Sequence, residues 1–385
     1  MDERAKVAAI RAEMPATEKY AYLNTGTYGP MPRRCEQAAR ELLAEELNEG
    51  RIRGGMQRGQ AVKDGARAAL ARLIGAQPEN VALTRNTTEG MNVAVFGRNW
   101  APGDEVITTN VEHGGGLLPV RLAERRFGAT VKVADFGQAQ GDVRPILEPL
   151  VTSNTKMVAI SHASWSTGAL YDLKPLAQLC RERGILLAID AAQSAGAVPV
   201  DVTDLGVDYY AFPGQKWLCG PSGTGGVYVA SGALENTQPA WIGTSAVASH
   251  DDLDHYQLQP NAKRFEGAST TNLSAYAGLG AAVGWFLDDV GADWAYRRAR
   301  NLADRAIEGL RGVRGVELVT PAEHAPLVCF RVAGKAPADV TKYLADRGTV
   351  VRSVNDTGVV RFSTGYYNTE EEVDRAVQLV GEAAR

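Results

Sequence analysis

The runs ILLAIDAAQSAG (185–196) and VDYYAFPGQKWLCGPSGTGG (207–226) decide how this chain folds. Each opens on a stretch that is apolar throughout rather than alternating, the pattern of a strand buried on both faces of a parallel sheet. The first ends on Asp190, and the second runs into a glycine-rich turn carrying Lys216. Open α/β sheets place ligands at the carboxyl ends of their strands, so both charged residues can reach one crevice. Outward from this pair, similar short runs recur: VALT (81–84), EVITT (105–109), TVKVADF (130–136), MVAIS (157–161) and VYV (227–229). Between them lie helical patterns such as LKPLAQLCRERG (173–184), which ends at Gly184. The alternation predicts an α/β domain with a mainly parallel seven-stranded sheet covered by helices on both faces. After a long helical stretch near 272–312, the runs VELVT (316–320), LVCFRV (327–332), TVVRSV (349–354) and VVRFS (359–363) alternate with two helices. These predict a smaller α+β domain. The expected division is an N-terminal arm over residues 1–20, a large domain over 21–285 and a small C-terminal domain over 286–385.

With 385 residues, 45% hydrophobic and 22% charged, the chain can bury a large core, and its length suits two or three domains. The 41 Lys+Arg and 45 Asp+Glu leave a net charge of -4, so there is no broad cationic field for nucleic acid or an anionic membrane. A small-molecule partner is expected instead. The N-terminal MDERAKVAAIRAEMPATEKY lacks the apolar core of a signal peptide, and no later run approaches ~18 uninterrupted apolar residues, which places the protein in the cytoplasm. Cys35, Cys180, Cys219 and Cys329 stand far apart with no metal-ligand spacing, so neither a zinc site nor a disulfide framework is expected. Cys219 and Cys329 lie in apolar stretches and read as core thiols.

A lone strand-end Asp usually caps a turn or helix, and a lone Lys usually faces water. Together they suit pyridoxal 5'-phosphate (PLP), which needs an amine to form an imine with its aldehyde and a carboxylate to keep its pyridine nitrogen protonated. Lys216 and Asp190 fill those two roles. A phosphate cradle is offered by LTRNTTEGMN (83–92), a strand leading into a helix start whose free N–H groups would face an anion, with hydroxyls from Thr87 and Thr88. His113, in TTNVEHGGGLLP (108–119), follows another strand end and can stack on a flat ring. The glycines of GPSGTGG do not form a dinucleotide fingerprint, because a strand-like VYV follows them rather than a helix.

These residues resemble the class V aminotransferase family of fold type I PLP enzymes, which share the aspartate aminotransferase-like fold. The family includes cysteine desulfurases, cystine C–S lyases and isopenicillin N epimerase-like proteins. The likeness covers almost the whole chain and is carried by DAAQSAG, GQKWLCGPSGTGG, RNTTEG, AKRFEGAST (262–270) and VVRFSTGYYNTEEEV (359–373). It implies that Lys216 holds the cofactor, Asp190 pairs with the pyridinium, Gln193 contacts the ring hydroxyl and His113 stacks over the ring. It also implies that Thr88 and neighbouring amides hold the phosphate, and that Ser269 or Thr270 reaches the phosphate of the other subunit of a homodimer. Arg361 matches the arginine that grips the substrate α-carboxylate, a bidentate role suited to a planar guanidinium. Gln215 joins the cofactor candidates, and Thr25, Tyr28, Trp165 and Arg352 join Arg361 as substrate candidates.

Three departures from the family pattern bear on the reaction. Pro213, Gly214 and Gln215 precede Lys216 where relatives commonly carry a phosphate-binding hydroxyl and a histidine. SHASWSTG (161–168) has Trp165 where many relatives have asparagine, a feature of the C–S lyase-like branch. VVRSVNDTGVVRFS (350–363) lacks the nucleophilic cysteine that desulfurases carry before their arginine, and persulfide formation needs a thiolate there. The reading is a C–S β-lyase acting on cystine, cysteine or a cysteine S-conjugate, releasing pyruvate and ammonia, with desulfurase activity disfavoured. An epimerase or aminotransferase is the alternative within the family, and a catalytically silent PLP-binding protein the alternative outside enzymes.

Overall fold

A computed structural model describes residues 2–51, 55–251, 255–267 and 270–385. Its centre is a seven-stranded sheet built from β1 (Val81–Thr84), β2 (Glu105–Thr109), β3 (Thr130–Ala134), β4 (Thr155–Ser161), β5 (Leu186–Asp190), β6 (Tyr209–Pro213) and β7 (Gly225–Val229). The spatial order is β1-β7-β6-β5-β4-β2-β3, with β7 antiparallel to both its neighbours and the other pairings parallel. Successive residues of one strand feed two different cores. Ile189 and Tyr210 pack on one face, Ala188 and Ala211 on the other. Burial on both faces is why these strands read as apolar without alternation.

The longer helices are α1 (Glu3–Glu13), α2 (Arg33–Glu49), α3 (Gly55–Leu73), α4 (Thr87–Phe96), α5 (Gly114–Phe127), α6 (Lys174–Arg183), α7 (Leu273–Trp285), α8 (Ala292–Arg311), α9 (Pro337–Ala345) and α10 (Glu370–Ala383). Gly184, with φ of 64°, closes α6 in the left-handed region that glycine adopts without cost. The expected N-terminal arm is largely helical. Val7 and Ile10 of α1 are buried, and Arg11 bonds Glu372 at 2.8 Å and the Tyr367 carbonyl at 3.1 Å. A π-helical turn, Phe286–Gly291, joins α7 to α8.

The smaller sheet is antiparallel, in the order β8 (Val316–Leu318), β9 (Leu327–Val332), β11 (Val359–Ser363), β10 (Arg352–Val354). Its core joins Val328, Phe330, Val360 and Phe362 to Leu302 of α8 and Leu379 of α10. Ala21–Tyr22 pairs in parallel with Thr349–Val350, so the loop that follows, residues 24–29, enters the groove between the two sheets from the small-sheet side. Among the described residues no helix is long and apolar enough to cross a membrane.

Candidate active site

Asp190 ends β5, with Ser161 of β4 and Ala211 of β6 as its cross-strand neighbours, so three strand ends converge behind the site. It is 4% exposed, and its Oδ1 accepts from the Ala192 N–H at 2.9 Å. Its Oδ2 faces Gly116, where a Cβ would stand 3.1 Å away; glycine keeps room beside this oxygen. Burial raises the Asp190 carboxyl above the usual range, against the pull of Lys216.

Lys216 lies on the turn after β6, which is folded on itself by Gly214 N–H to the Thr224 carbonyl at 2.7 Å and Gly220 N–H to the Gly214 carbonyl at 2.8 Å. The loop 24–29 clamps this turn from outside: Gly29 N–H donates to the Gln215 carbonyl at 2.8 Å, and a Cβ on Gly29 would collide with the Lys216 carbonyl. Cys219, three residues on, adopts φ of 53°, a conformation a non-glycine residue holds only where its surroundings force it. Desolvation lowers the Lys216 amine to about 8; Asp190 opposes the shift, and Arg361 and Arg352 add to it.

His113 caps α5, its Nδ1 accepting from Gly115 N–H at 3.0 Å, which puts the proton of the neutral ring on Nε2. Desolvation and the nearby Lys216 cation both lower its pKa. The ring meets Trp165 edge-on, at 4.9 Å and 90°. Gln193 is fixed at both ends, donating to the Gly26 carbonyl at 2.9 Å and accepting from Trp217 Nε1 at 2.9 Å.

Arg361 is 2% exposed, yet among the described residues no carboxylate pairs with it. One terminal nitrogen donates to the Trp165 carbonyl at 3.0 Å, the other to Thr27 Oγ1 at 2.9 Å, and Nε is buried without a partner. Burial pulls the guanidinium down to about 10, countered by Cys329 and assisted by Arg352. An unpaired buried cation is costly unless a ligand anion completes it. Arg352 is the register partner of Arg361 on the neighbouring strand, so the two side chains share a face.

A cleft of about 190 Å³ collects Lys216, His113, Trp165, Gln193, Arg352 and Arg361, with Tyr28 and Gln215 also on its walls. The Gln215 Oε1 is buried and unpartnered there. Thr88 lies alongside, its Oγ1 against Gly115, at the amino end of α4 where first-turn N–H groups lack helical acceptors. Thr87 is buried, which leaves the exposed Thr88 as the hydroxyl for an anion. Thr25 does not reach the cleft: its hydroxyl donates to the Ser363 carbonyl at 3.1 Å and meets the Tyr367 hydroxyl at 2.6 Å inside the small-sheet packing. Thr27, two residues on, is the one that touches Arg361, and nothing in NTGT separates the two threonines by sequence. Ser269 lies outside the described residues. Thr270 is exposed and lines a different cleft, with Arg51, Arg58 and Asn272. Trp217 and Glu112 carry no sequence signal of their role; the first emerges from its bond to Gln193, the second from the Thr109 and Ser161 hydroxyls that hold its carboxylate.

The family model described as Aminotransferase class-V matches residues 30–376. The chain belongs to that family. Among its relatives is a probable cysteine desulfurase of Methanothermobacter thermautotrophicus, 30% identical, with 97% of this chain and 96% of that one covered. The cysteine desulfurase CsdA of Escherichia coli is 30% identical, with 98% and 97% covered. Among solved structures, the cystine C–S lyase C-DES with its product cysteine persulfide superposes with a TM-score of 0.91 at 28% identity, covering 96% of this chain and 99% of that one. A lysine-to-alanine mutant of C-DES, with glycine covalently linked to its PLP cofactor, gives 0.92 over 97% and 99%. The expected class-V aminotransferase membership and fold type hold, and PLP is the cofactor. The residues fit it: a strand-end carboxylate with one oxygen beside a glycine, an amine lowered toward neutrality, a helix start for the phosphate and an orphaned guanidinium for a carboxylate. Pro213 does remove a hydroxyl from the lysine turn, and Thr224, packed against Gly214, does not replace it because it donates to the Pro221 carbonyl at 2.6 Å.

Proposed function

We propose that this class-V aminotransferase relative is a C–S β-lyase whose substrate is cystine or a cysteine S-conjugate carrying a second carboxylate. The observation that carries the proposal is the hairpin β10–β11. It sets Arg352 and Arg361 side by side facing the cleft, and its turn, Asn355–Thr357 closed by Gly358, is three residues long and holds no cysteine.

Several relatives bear the name cysteine desulfurase, a reaction in which a protein thiolate takes the sulfur. Nothing in this chain supplies that thiolate. Cys35, Cys180, Cys219 and Cys329 are all buried, and burial pushes each thiol up to about 12. Cys329 sits opposite Arg361 in register, but on the inner strand β9 of the small sheet. The sulfur therefore leaves with the product as a thiol or persulfide.

The buried Arg361 fork is available for the α-carboxylate, and the more exposed Arg352 for a distal one. Bound PLP supplies an electron sink for charge developing at Cα. Asp190 holds the ring nitrogen's proton, and Thr88 with the first-turn amides of α4 holds the phosphate. The Lys216 amine, with its proton affinity lowered to about 8, takes the Cα proton as general base. Elimination then needs no further acid, because a thiolate or persulfide is a good leaving group. Hydrolysis of the remaining three-carbon fragment gives pyruvate and ammonia.

The test is product analysis with the purified, PLP-loaded protein and a panel of cystine, cysteine and cysteine S-conjugates, with Lys216→Ala as control. Pyruvate in stoichiometry with released sulfur, abolished in the control, is expected. Alanine in place of pyruvate would instead establish desulfuration.

A further inference from the structure

Behind His113 stands a second carboxylate that the chemistry above does not use. Glu112 turns inward from the segment following β2. Its Oε1 accepts from the Thr109 hydroxyl at 2.6 Å, and its Oε2 from the Ser161 hydroxyl at 2.5 Å. Both donors are neutral, and no ion pair to Glu112 occurs among the described residues. Ser161, at the end of β4, is the cross-strand neighbour of Asp190, and β4 lies between β2 and β5, so the hydroxyl that holds Glu112 belongs to the residue paired with Asp190. Burial pushes the Glu112 carboxyl up to about 7, the two hydroxyls resist, and the Asp190 charge adds to the rise. Asp190 faces Glu112 from β5 and Tyr171 from the short strand Tyr171–Asp172, while His113 adjoins it in sequence; Lys216 acts on Asp190 and His113.

We infer that Glu112 is a positioning residue for the cofactor ring, acting through Asp190 as a second negative charge behind the one that holds the ring-nitrogen proton. The inference rests on the PLP assignment and is independent of which C–S bond is cleaved. A protonated ring nitrogen brings a positive charge to this edge, which both carboxylates favour, so the cofactor is held more tightly when Glu112 is ionised. The sign follows from the raised carboxyl. Below its pKa Glu112 is neutral and contributes nothing; as pH rises through about 7 its charge appears and the cofactor is held harder.

The experiment compares PLP dissociation constants, read by cofactor absorbance, for the full-length apo-protein of the wild type, Glu112→Gln and Glu112→Asp between about pH 5.5 and 8.5. Lys216, Asp190 and the cofactor's phosphate titrate in all three proteins, so the ratio to wild type isolates Glu112. Glu112→Gln is expected to bind within about twofold of wild type at the acid end and about tenfold more weakly at the alkaline end, and Glu112→Asp to recover most of that difference. A ratio that is flat with pH, whether one or larger, overturns the inference, since a purely structural role gives that result. Should Glu112→Gln fail to fold, Ser161→Ala removes one donor from the carboxylate and must move the pH break of PLP affinity upward; an unmoved break overturns the inference equally. Wild type that shows no absorbance change with PLP at any pH would instead remove the cofactor assignment itself.

Discussion

Arg361 is the residue whose environment states its purpose most directly: a guanidinium 2% exposed, with two neutral acceptors and an idle Nε. Arg361→Ala is expected to weaken amino-acid binding by about 2–5 kcal/mol, read as a rise in KM for every substrate. Arg361→Lys will not restore it, because a point charge cannot replace a planar fork. Arg352→Ala should behave differently, weakening cystine by about tenfold while leaving cysteine nearly unaffected, since only the distal carboxylate loses a partner that is itself partly in water. Equal losses for both substrates would remove the two-carboxylate reading. Lys216 adds a pH signature. Its amine is free to act only once substrate is bound, and only when neutral, so kcat should rise about tenfold per pH unit up to the lowered pKa near 8 and level off above it. Because Arg352 contributes to the lowering, Arg352→Ala should shift that break to higher pH. Lys216 and Asp190 stood out in the sequence because each follows or ends an unbroken apolar run, and Arg361 because it matches the arginine of the family pattern. Thr27 was not legible, since two threonines in one loop differ only in where the backbone turns them.

At the scale of elements, the central strands could be located because burial on both faces writes itself as unbroken apolar runs, and their observed limits differ from the expected ones by a few residues at most. The helical state of residues 3–13 was hidden by its charge; α1 is held less by its own apolar face than by Arg11 reaching Glu372 and the Tyr367 carbonyl. The clamp of loop 24–29 on the lysine turn was equally invisible, because it joins segments almost two hundred residues apart. Gly29 is where that clamp can be tested. A methyl there collides with both the Lys216 carbonyl and Cys219 Sγ, so Gly29→Ala should cost about 1–3 kcal/mol of stability, read by denaturant unfolding. Activity should fall further than stability accounts for, because the displaced atoms belong to the residue that moves the proton. An alanine variant of wild-type stability and activity would show that the loop rests on the turn without positioning it.

At the scale of the molecule, the site as one chain builds it is short of phosphate contacts: Pro213 offers no hydroxyl, Thr224 is committed to Pro221, and Thr270 opens on another cleft. The chain also exposes apolar side chains, Leu43 and Leu47 on α2 and Leu118 and Leu122 on α5, and Leu43 lines the cleft of Thr270. Both features make sense if two chains pack together and Thr270 of one completes the phosphate cradle of the other, an arrangement a two-fold axis satisfies twice. Subunit mixing tests it. Lys216→Ala lacks the base, and Thr270→Glu places a negative charge where the partner's phosphate would lie; each homodimer should be inactive. Unfolding and refolding the two together in equal amounts makes half the dimers mixed, and each mixed dimer has one site with native Lys216 and native Thr270. About a quarter of wild-type activity should therefore return. Mixed dimers that form, as judged by tag co-purification, but recover no activity would show that Thr270 serves no site across the interface, and a Thr270→Glu protein active by itself would show that the cradle is complete within one chain.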